Sequence, residues 1–447
     1  MAAAGADAVR EGGTGYPERA VADSRETRPG DLFFGLRGER TDGGEFAAGA
    51  LEAGAWGAVV TPERARALAG GDAPGWILSA PDPEVALKLL ATAWRRELAS
   101  PVVGITGSTG KTSVKDICRT ILPFRVHASP ENYNTEIGLP LALLSADPET
   151  EVVVLEMAMR GKGQIAELCR IARPDVGAIT NIGPVHLELL GTLEAIVEAK
   201  AEILGGLGER GRAVIPADAE ALEPHLNESL VTITFGPGGD VFAMSRRVEA
   251  GSTVARVGTS HGEQEFRFPF DEAYNLTNAM GAIAIGVALD ASLAAMAERA
   301  PEIVFSRLRG ELLELRDGVV IVNDCYNANP TSMRAALDHL ASLEVAGRRL
   351  AVLGEMAELG PDGPAYHREI GAYARELGVG PVVGVGELAQ HYAADEWVAD
   401  ARSAVPVANG LIEKGDTVLV KGSRSVGLEL VSDELAAMRG PRPPAGD

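Results

Sequence analysis

Between Ile105 and Ser113 the chain reads Ile-Thr-Gly-Ser-Thr-Gly-Lys-Thr-Ser, a glycine-rich turn closed by a lysine and two hydroxyl residues. That order suits phosphate. Backbone N–H groups of Gly107, Ser108, Thr109 and Gly110 can hold phosphate oxygens at the start of a helix. Lys111 can reach β and γ groups, and the hydroxyl of Thr112, with Ser113 beside it, can ligate Mg²⁺. The generic pattern carries glycine where Ile105 stands, five residues before Gly110. Downstream, Glu156 follows the apolar run Val152 to Leu155, which puts a carboxylate at the carboxyl end of a strand, where ligands gather in open α/β sheets. A solvated loop acid is the bland alternative. His186, in Thr180-Asn-Ile-Gly-Pro-Val-His, follows another strand and can reach the same edge or serve as a satisfied structural histidine.

Lysine is scarce here: the 41 basic residues include only seven, at 88, 111, 115, 162, 200, 414 and 421. A lysine that remains therefore invites a chemical reason. Lys200 lies on the apolar face of a helix that begins after Thr192 and carries Leu193, Ile196, Val197, Ile203 and Leu204. Either its stem snorkels along the helix edge, or its ammonium is paired or neutralised, because an unpaired buried charge is costly. Asp324, Tyr326 and Asn327 sit in a strand-to-helix turn, Val322 to Pro330, whose Asn329 can cap the helix and whose Pro330 suits its first position. They are candidates for ribose, phosphate or substrate contact. Lys421, in Val-Lys-Gly-Ser-Arg, also follows a strand and with Arg424 could bind a carboxylate.

The elements that must position these groups are legible as apolar runs. In 447 residues, at roughly 150 per domain, two or three domains are expected. Residues 21 to about 98 read as a small α/β domain, with strands at Leu32 to Leu36 and Trp56 to Val60 and a helix around Phe46 to Ala53. A strand from Pro101 to Thr106 opens a second domain, continued by strands at 151–155 and 176–180 that alternate with helices, as in a parallel sheet covered on both faces. A third α/β domain, doubly wound, starts near Leu312, with strands at 319–322, 350–353, 382–385 and 417–420 and a helix from Ser332 to Leu343. The first 20 residues and the tail from Gly440 read as loose ends.

Composition narrows the function classes. A net charge of −22 opposes generic binding to nucleic acid or to anionic membranes. No apolar run approaches the ~18 residues of a membrane span, and the first residues resemble neither a secretory signal nor a transit peptide, so the cytoplasm is the expected location. Cys118, Cys169 and Cys325 are too far apart for a CxxC zinc site or a disulfide framework.

Taken together, eight segments resemble the Mur ligases of peptidoglycan synthesis. They are DSRETRPGDLFFGLRGERTDG from Asp23, ITGSTGKTS from Ile105, ENYNTEIGLPLALL from Glu131, EMAMRGKGQIAEL from Glu156, RPDVGAITNIGPVHLELLGTLEAIVEAK from Arg173, DCYNANPTSMRAAL from Asp324, VLGEMAELG from Val352 and VLVKGSRS from Val418. The resemblance runs from about Asp23 to Val431 and is strongest to the branch that adds D-alanyl-D-alanine. It implies three domains: an N-terminal α/β domain (1–98) for the UDP end of the substrate, a central P-loop ATPase with a mostly parallel sheet (99–311) and a Rossmann-like C-terminal domain (312–447).

The same resemblance implies an ATP-dependent amide-bond ligase, acting as a monomer on UDP-N-acetylmuramoyl-tripeptide and D-alanyl-D-alanine with two Mg²⁺ ions. Lys111 would bind the β and γ phosphates; Thr112 and Glu156 would hold one Mg²⁺ and His186 a second, with Lys200 carbamylated to help hold it. Asn275 and Asn278 would lie near adenine, and Arg309 and Asp324 would close the last domain onto ATP. Ser24, Arg25, Asn134, Tyr326, Asn327 and Lys421 would contact substrate. The sequence departs from the family pattern at Asp271-Glu-Ala-Tyr274, where Gly-x-His is usual, and at Arg307-Leu-Arg309-Gly310, which leaves two arginines for one role. Thr109 stands where asparagine is common, and Gly44 where histidine is frequent. The ligase of the third peptide residue would carry Asp-Asn-Pro-Arg, which does not occur here, and folylpolyglutamate synthetases lack the first domain. A catalytically silent nucleotide-binding protein is the rival of another class.

Overall fold

A computed structural model describes residues 2–442 except 39, 40, 73 and 131, so Glu39, Arg40 and Glu131 of the quoted segments and the tail beyond Arg442 lie outside the described residues. The apolar runs form strands, and three five-residue ones are buried along their whole length: Val102–Thr106, Val152–Glu156 and Thr417–Lys421. Burial on both faces is what a parallel sheet between helix layers requires, and it explains why the inner residues of these strands are apolar without alternation, polar residues standing only at their ends.

The first sheet has five strands in the order Asp7–Arg10, Trp76–Ser79, Gly57–Val60, Asp31–Phe34, Arg19–Val21. All neighbours are parallel except the first pair. Asp7–Arg10 corrects the expectation of a loose N-terminus, since its amides pair with an edge that would otherwise be open. Gly440 to Arg442 is likewise tied down: the Gly440 carbonyl accepts from the N–H of Arg316, and the N–H of Arg442 donates to the Glu314 carbonyl.

The central sheet has six parallel strands in the order Val231–Phe235, Arg212–Pro216, Val176–Ile179, Val102–Thr106, Val152–Glu156, Val126–Ala128. One face packs on the helices Lys111–Ile121 and Ala273–Ala288 through Ile117, Ile121, Met280 and Ile283; the other packs on Gln164–Ala172 and Leu193–Gly205. Against the first face lies a three-stranded antiparallel sheet, Phe242–Glu249, Ser252–Thr259 and Gly262–Phe268, which the sequence reading did not find. Its inward residues Ala255, Val257, Phe266 and Phe268 are buried, while its outer strand is exposed and rich in charge.

The C-terminal sheet runs Glu311–Glu314, Val320–Asn323, Thr417–Lys421, Arg349–Gly354, Val382–Val385, Glu396–Val398, parallel apart from the first pair. In both large sheets the strand order reverses beside the strand that leads into the site, which opens a crevice at the carboxyl ends. Val102–Thr106 and Val152–Glu156 end on one side of a shared cleft; Val320–Asn323 and Thr417–Lys421 end on the other.

Candidate active site

The phosphate loop leaves the buried strand at Thr106 and turns at two glycines. Gly107 has φ +150°, and a Cβ there would lie 1.9 Å from Oγ1 of Thr180; Gly110 has φ +79°, and a Cβ would meet Oδ1 of Asn278 at 2.4 Å. Helix Lys111–Ile121 starts at once, with its first amides facing the cleft. The loop already holds an oxygen: the N–H groups of Ser108 and Thr109 both donate to the side-chain carbonyl of Asn181, at 3.1 and 2.8 Å. The ammonium of Lys111 donates to the carbonyl of Gly107 at 2.9 Å, and burial pushes its pKa below the usual lysine value.

A chain of polar contacts crosses the floor of the cleft. Asn134 donates to Oε1 of Glu156 at 2.9 Å, the Thr112 hydroxyl donates to Oε2 at 2.9 Å, and Nη2 of Arg309 donates to that hydroxyl at 3.0 Å. Glu156 is 3% exposed, so each lone pair not used by a neighbour points into the cleft or the core. Arg309 also lies over the ring of Tyr326, its guanidinium carbon 4.0 Å from the centroid, and its Nε is buried without a partner. Of the two hinge arginines, only Arg309 lines the cleft. Arg307 is 74% exposed and faces Glu311 and Asp433.

Asn275 and Asn278 sit near the start of helix Ala273–Ala288 and continue the polar line: Asn278 donates to Asn275 at 3.1 Å, and Asn275 to Glu272 at 3.3 Å. On the C-terminal side the ammonium of Lys421 is 2.6 Å from Oδ2 of Asp324 and donates to the carbonyl of Asn327 at 3.0 Å. A third contact, to the Asp324 carbonyl at 3.3 Å, commits all three of its donors. Lys421 therefore holds the Asp324 turn in shape. The capping reading of Asn329 holds, since its side chain accepts from the N–H of Ser332 at 2.9 Å.

His186 faces the C-terminal domain instead of Glu156: its Nδ1 contacts the carboxylate of Glu358. Burial pushes its pKa below the ordinary histidine value despite that carboxylate. Lys200 is 2% exposed and, among the described residues, makes no ion pair, so the snorkelling alternative does not apply. Burial, with the charge of Lys111 nearby, drives its pKa well below the usual lysine value. Ser24 and Arg25 do not reach this cleft. They lie in a short turn of the first domain, where Arg25, 88% exposed, pairs with Asp23 at 2.6 Å and holds that carboxyl down at about 2.

The cleft, about 350 Å³, thus gathers the loop, Asn134, Glu156, His186, the asparagine pair, Arg309, Asp324, Tyr326, Asn327 and Lys421. Sequence reading missed Asn181 and Glu358. Both lie within quoted segments, but Asn181 acts on amides 72 residues away and Glu358 on a histidine 172 residues away, so only the fold assigns them partners.

Two family descriptions match the chain: Mur ligase middle domain over residues 105–286, and Mur ligase, glutamate ligase domain, over 308–424. The UDP-N-acetylmuramoyl-tripeptide--D-alanyl-D-alanine ligase of Bacillus subtilis is 35% identical over 432 residues, covering 93% of this chain and 92% of that protein. The chain belongs to the Mur ligase family. Solved structures agree over the same span. MurF from Acinetobacter baumannii aligns with TM-score 0.84 at 30% identity, covering 94% of this Mur ligase and 93% of that chain. MurF ligase from Thermotoga maritima in complex with ADP aligns with TM-score 0.80 at 30% identity, covering 94% and 97%. This Mur ligase is accordingly an α/β protein of three domains with mostly parallel sheets, and an ATP-dependent ligase.

Proposed function

We propose that this Mur ligase joins D-alanyl-D-alanine to UDP-N-acetylmuramoyl-tripeptide at the expense of ATP, giving the pentapeptide precursor of peptidoglycan. The observation that carries the reading is the line Asn134, Glu156, Thr112, Arg309, which brings a hinge arginine onto the phosphate-loop hydroxyl in a chain related along its length to ligases of that name. The terminal carboxylate of the tripeptide attacks the γ-phosphorus of ATP, the bond to ADP breaks, and an acyl phosphate forms. The dipeptide amine then attacks the acyl carbon, loses a proton, and phosphate leaves as the amide forms.

Each residue has a role in that scheme. Lys111, the amides of Gly107 to Ser113 and Arg309 orient and neutralise the phosphates, Asn275 and Asn278 flank the adenine, and Asp324 faces the ribose side. Asn134, Tyr326 and Asn327 line the path of the reacting peptide, with Lys421 setting the turn that carries the last two. Ser24 and Arg25 meet the UDP end on the first domain. Domain borders are placed at 98/99 and 311/312, the second one residue inside strand Glu311–Glu314 of the C-terminal sheet. The cytoplasm, where ATP is held, is the proposed location; among the described residues no helix is long and apolar enough to cross a membrane.

Mg²⁺ suits one pair of groups without change. The Thr112 hydroxyl and the Glu156 carboxylate are buried oxygen donors 2.9 Å apart. Bound there, Mg²⁺ would offset charge on the phosphates. A second ion fits less directly, because His186 and an unmodified Lys200 offer nitrogen. We place a carbamate on Lys200: its low pKa favours the neutral amine, whose nitrogen adds to CO₂ and releases one proton, turning a cation into an oxygen ligand. ADP release with UDP-N-acetylmuramoyl-tripeptide tests the whole assignment. It should require D-alanyl-D-alanine, and equal turnover with a single free amino acid would overturn it.

A further inference from the structure

Asp271, Glu272 and His339 meet at the seam between the central and C-terminal sheets. The two acids precede helix Ala273–Ala288, and the imidazole comes from helix Pro330–Ser342. One donor atom from each lies within 4.8 Å of the other two. Nε2 of His339 is 3.6 Å from Oδ1 of Asp271 and 4.0 Å from Oε1 of Glu272, too far for hydrogen bonds. The His339 side chain is 4% exposed, and among the described residues its ring makes no hydrogen bond, although it aims at two carboxylates. Close to two carboxylates yet bonded to neither, the imidazole leaves room between the groups for an ion.

The separations suit a metal. A tetrahedral Zn²⁺ with nitrogen and oxygen ligands at about 2.0–2.2 Å sets neighbouring ligand atoms about 3.3–3.5 Å apart, close to the 3.6 and 4.0 Å that separate His339 from the two carboxylates. We propose that Asp271, Glu272 and His339 form a binding site for a divalent transition-metal ion, Zn²⁺ by preference, that bridges the central and C-terminal domains. The imidazole selects against Mg²⁺ and Ca²⁺, which favour all-oxygen sites, so this site is chemically separate from the one at Thr112 and Glu156.

The surroundings support the ligands. The second oxygen of Glu272 accepts from Asn275, which in turn accepts from Asn278. Gly310, in the left-handed region at φ +73°, lets the hinge approach so closely that a Cβ would sit 3.2 Å from Oε1 of Glu272. Burial already pushes the Glu272 carboxyl above its ordinary value, a cost that a bound cation removes. With ligands on both sides of the seam, the ion ties the hinge to the adenine-side asparagines and slows the reopening of the domains.

The test is metal binding by the full chain in excess Mg²⁺, with Co²⁺ as spectroscopic probe and Zn²⁺ as competitor, so it does not depend on ligation. Wild type should bind one Co²⁺ per chain, displaced by Zn²⁺, and Zn²⁺ should raise its thermal midpoint. His339→Gln and Asp271→Asn should each weaken binding at least about ten-fold and abolish the midpoint shift. Asp271 is the more exposed ligand, so Asp271→Asn carries the test if His339→Gln does not fold. Absence of Co²⁺ binding by wild type, or equal affinity in wild type and Asp271→Asn, overturns the proposal and leaves the cluster an ion pair across the seam.

Discussion

Lys111 and Lys200 are two lysines withdrawn from solvent, and the charge of Lys111 disfavours that of Lys200, yet their partners differ. Lys111 has the Gly107 carbonyl and the Glu156 charge nearby; Lys200 has neither. Lys111→Ala should therefore lower kcat by about 10³-fold or more with the thermal midpoint nearly unchanged, and near-normal turnover would show that the loop does not handle the transferred phosphate. For Lys200 the expected outcome turns on sign of charge. Lys200→Ala should lose activity, Lys200→Arg should not regain it, and added acetate should return part of the rate to Lys200→Ala. Full activity of Lys200→Arg would refute the carbamate. Lys111 was legible from its place in the glycine-rich loop, Lys200 from its apolar helix face in a chain poor in lysine, and Glu156 because it ends an apolar run. Asn181 was not, since an amide between two apolar stretches has no distinguishing pattern until the loop folds over it.

At the scale of elements, the loop after strand Arg349–Gly354 shows how a buried histidine sets a shape. His367, fully buried on helix Gly363–Glu376, accepts from the N–H of Met356 at 2.9 Å, so its other nitrogen carries the proton and donates to the Gly363 carbonyl at 2.7 Å. Two residues on, that loop supplies Glu358, a non-glycine at φ +62°. Burial pushes the His367 pKa below 6.5, so the unfolded chain takes up a proton before the folded one does. The resulting stability is intact above the unfolded value and is lost as pH falls through the folded one. His367→Gln should cost about 2–3 kcal/mol near neutral pH, from two disturbed buried hydrogen bonds, and should flatten the fall of the thermal midpoint toward about pH 5. An unchanged slope would contradict that account. Strands and helices of the large sheets could be read from sequence because burial on two faces leaves an unbroken apolar run. The antiparallel sheet at 242–268 could not, because one face is wet and its outer strand, with Arg246, Arg247 and Glu249, looks like a charged loop.

For the whole molecule, the cleft exists only where separate sheets meet. Arg309 reaches Thr112, Glu358 reaches His186, and the N–H of Glu188 donates to the Glu358 carbonyl at 3.2 Å. Glu358→Ala should speed amide hydrogen exchange around residues 186–190 while leaving the core of the central sheet protected; unchanged exchange there would mean that the seam is held by other contacts. A domain-scale division was visible in the sequence, but which loops touch across it was not, since every such contact joins residues far apart in the chain. In the proposed scheme the hydroxyl that Arg309 bonds sits at the metal and phosphate end of ATP, so product release should part this seam. Turnover is then partly a mechanical act, a hinge of protein moving through solvent once per cycle. Its rate should slow in viscous media such as sucrose or glycerol solutions, a drag that a rigid, preformed pocket would not feel.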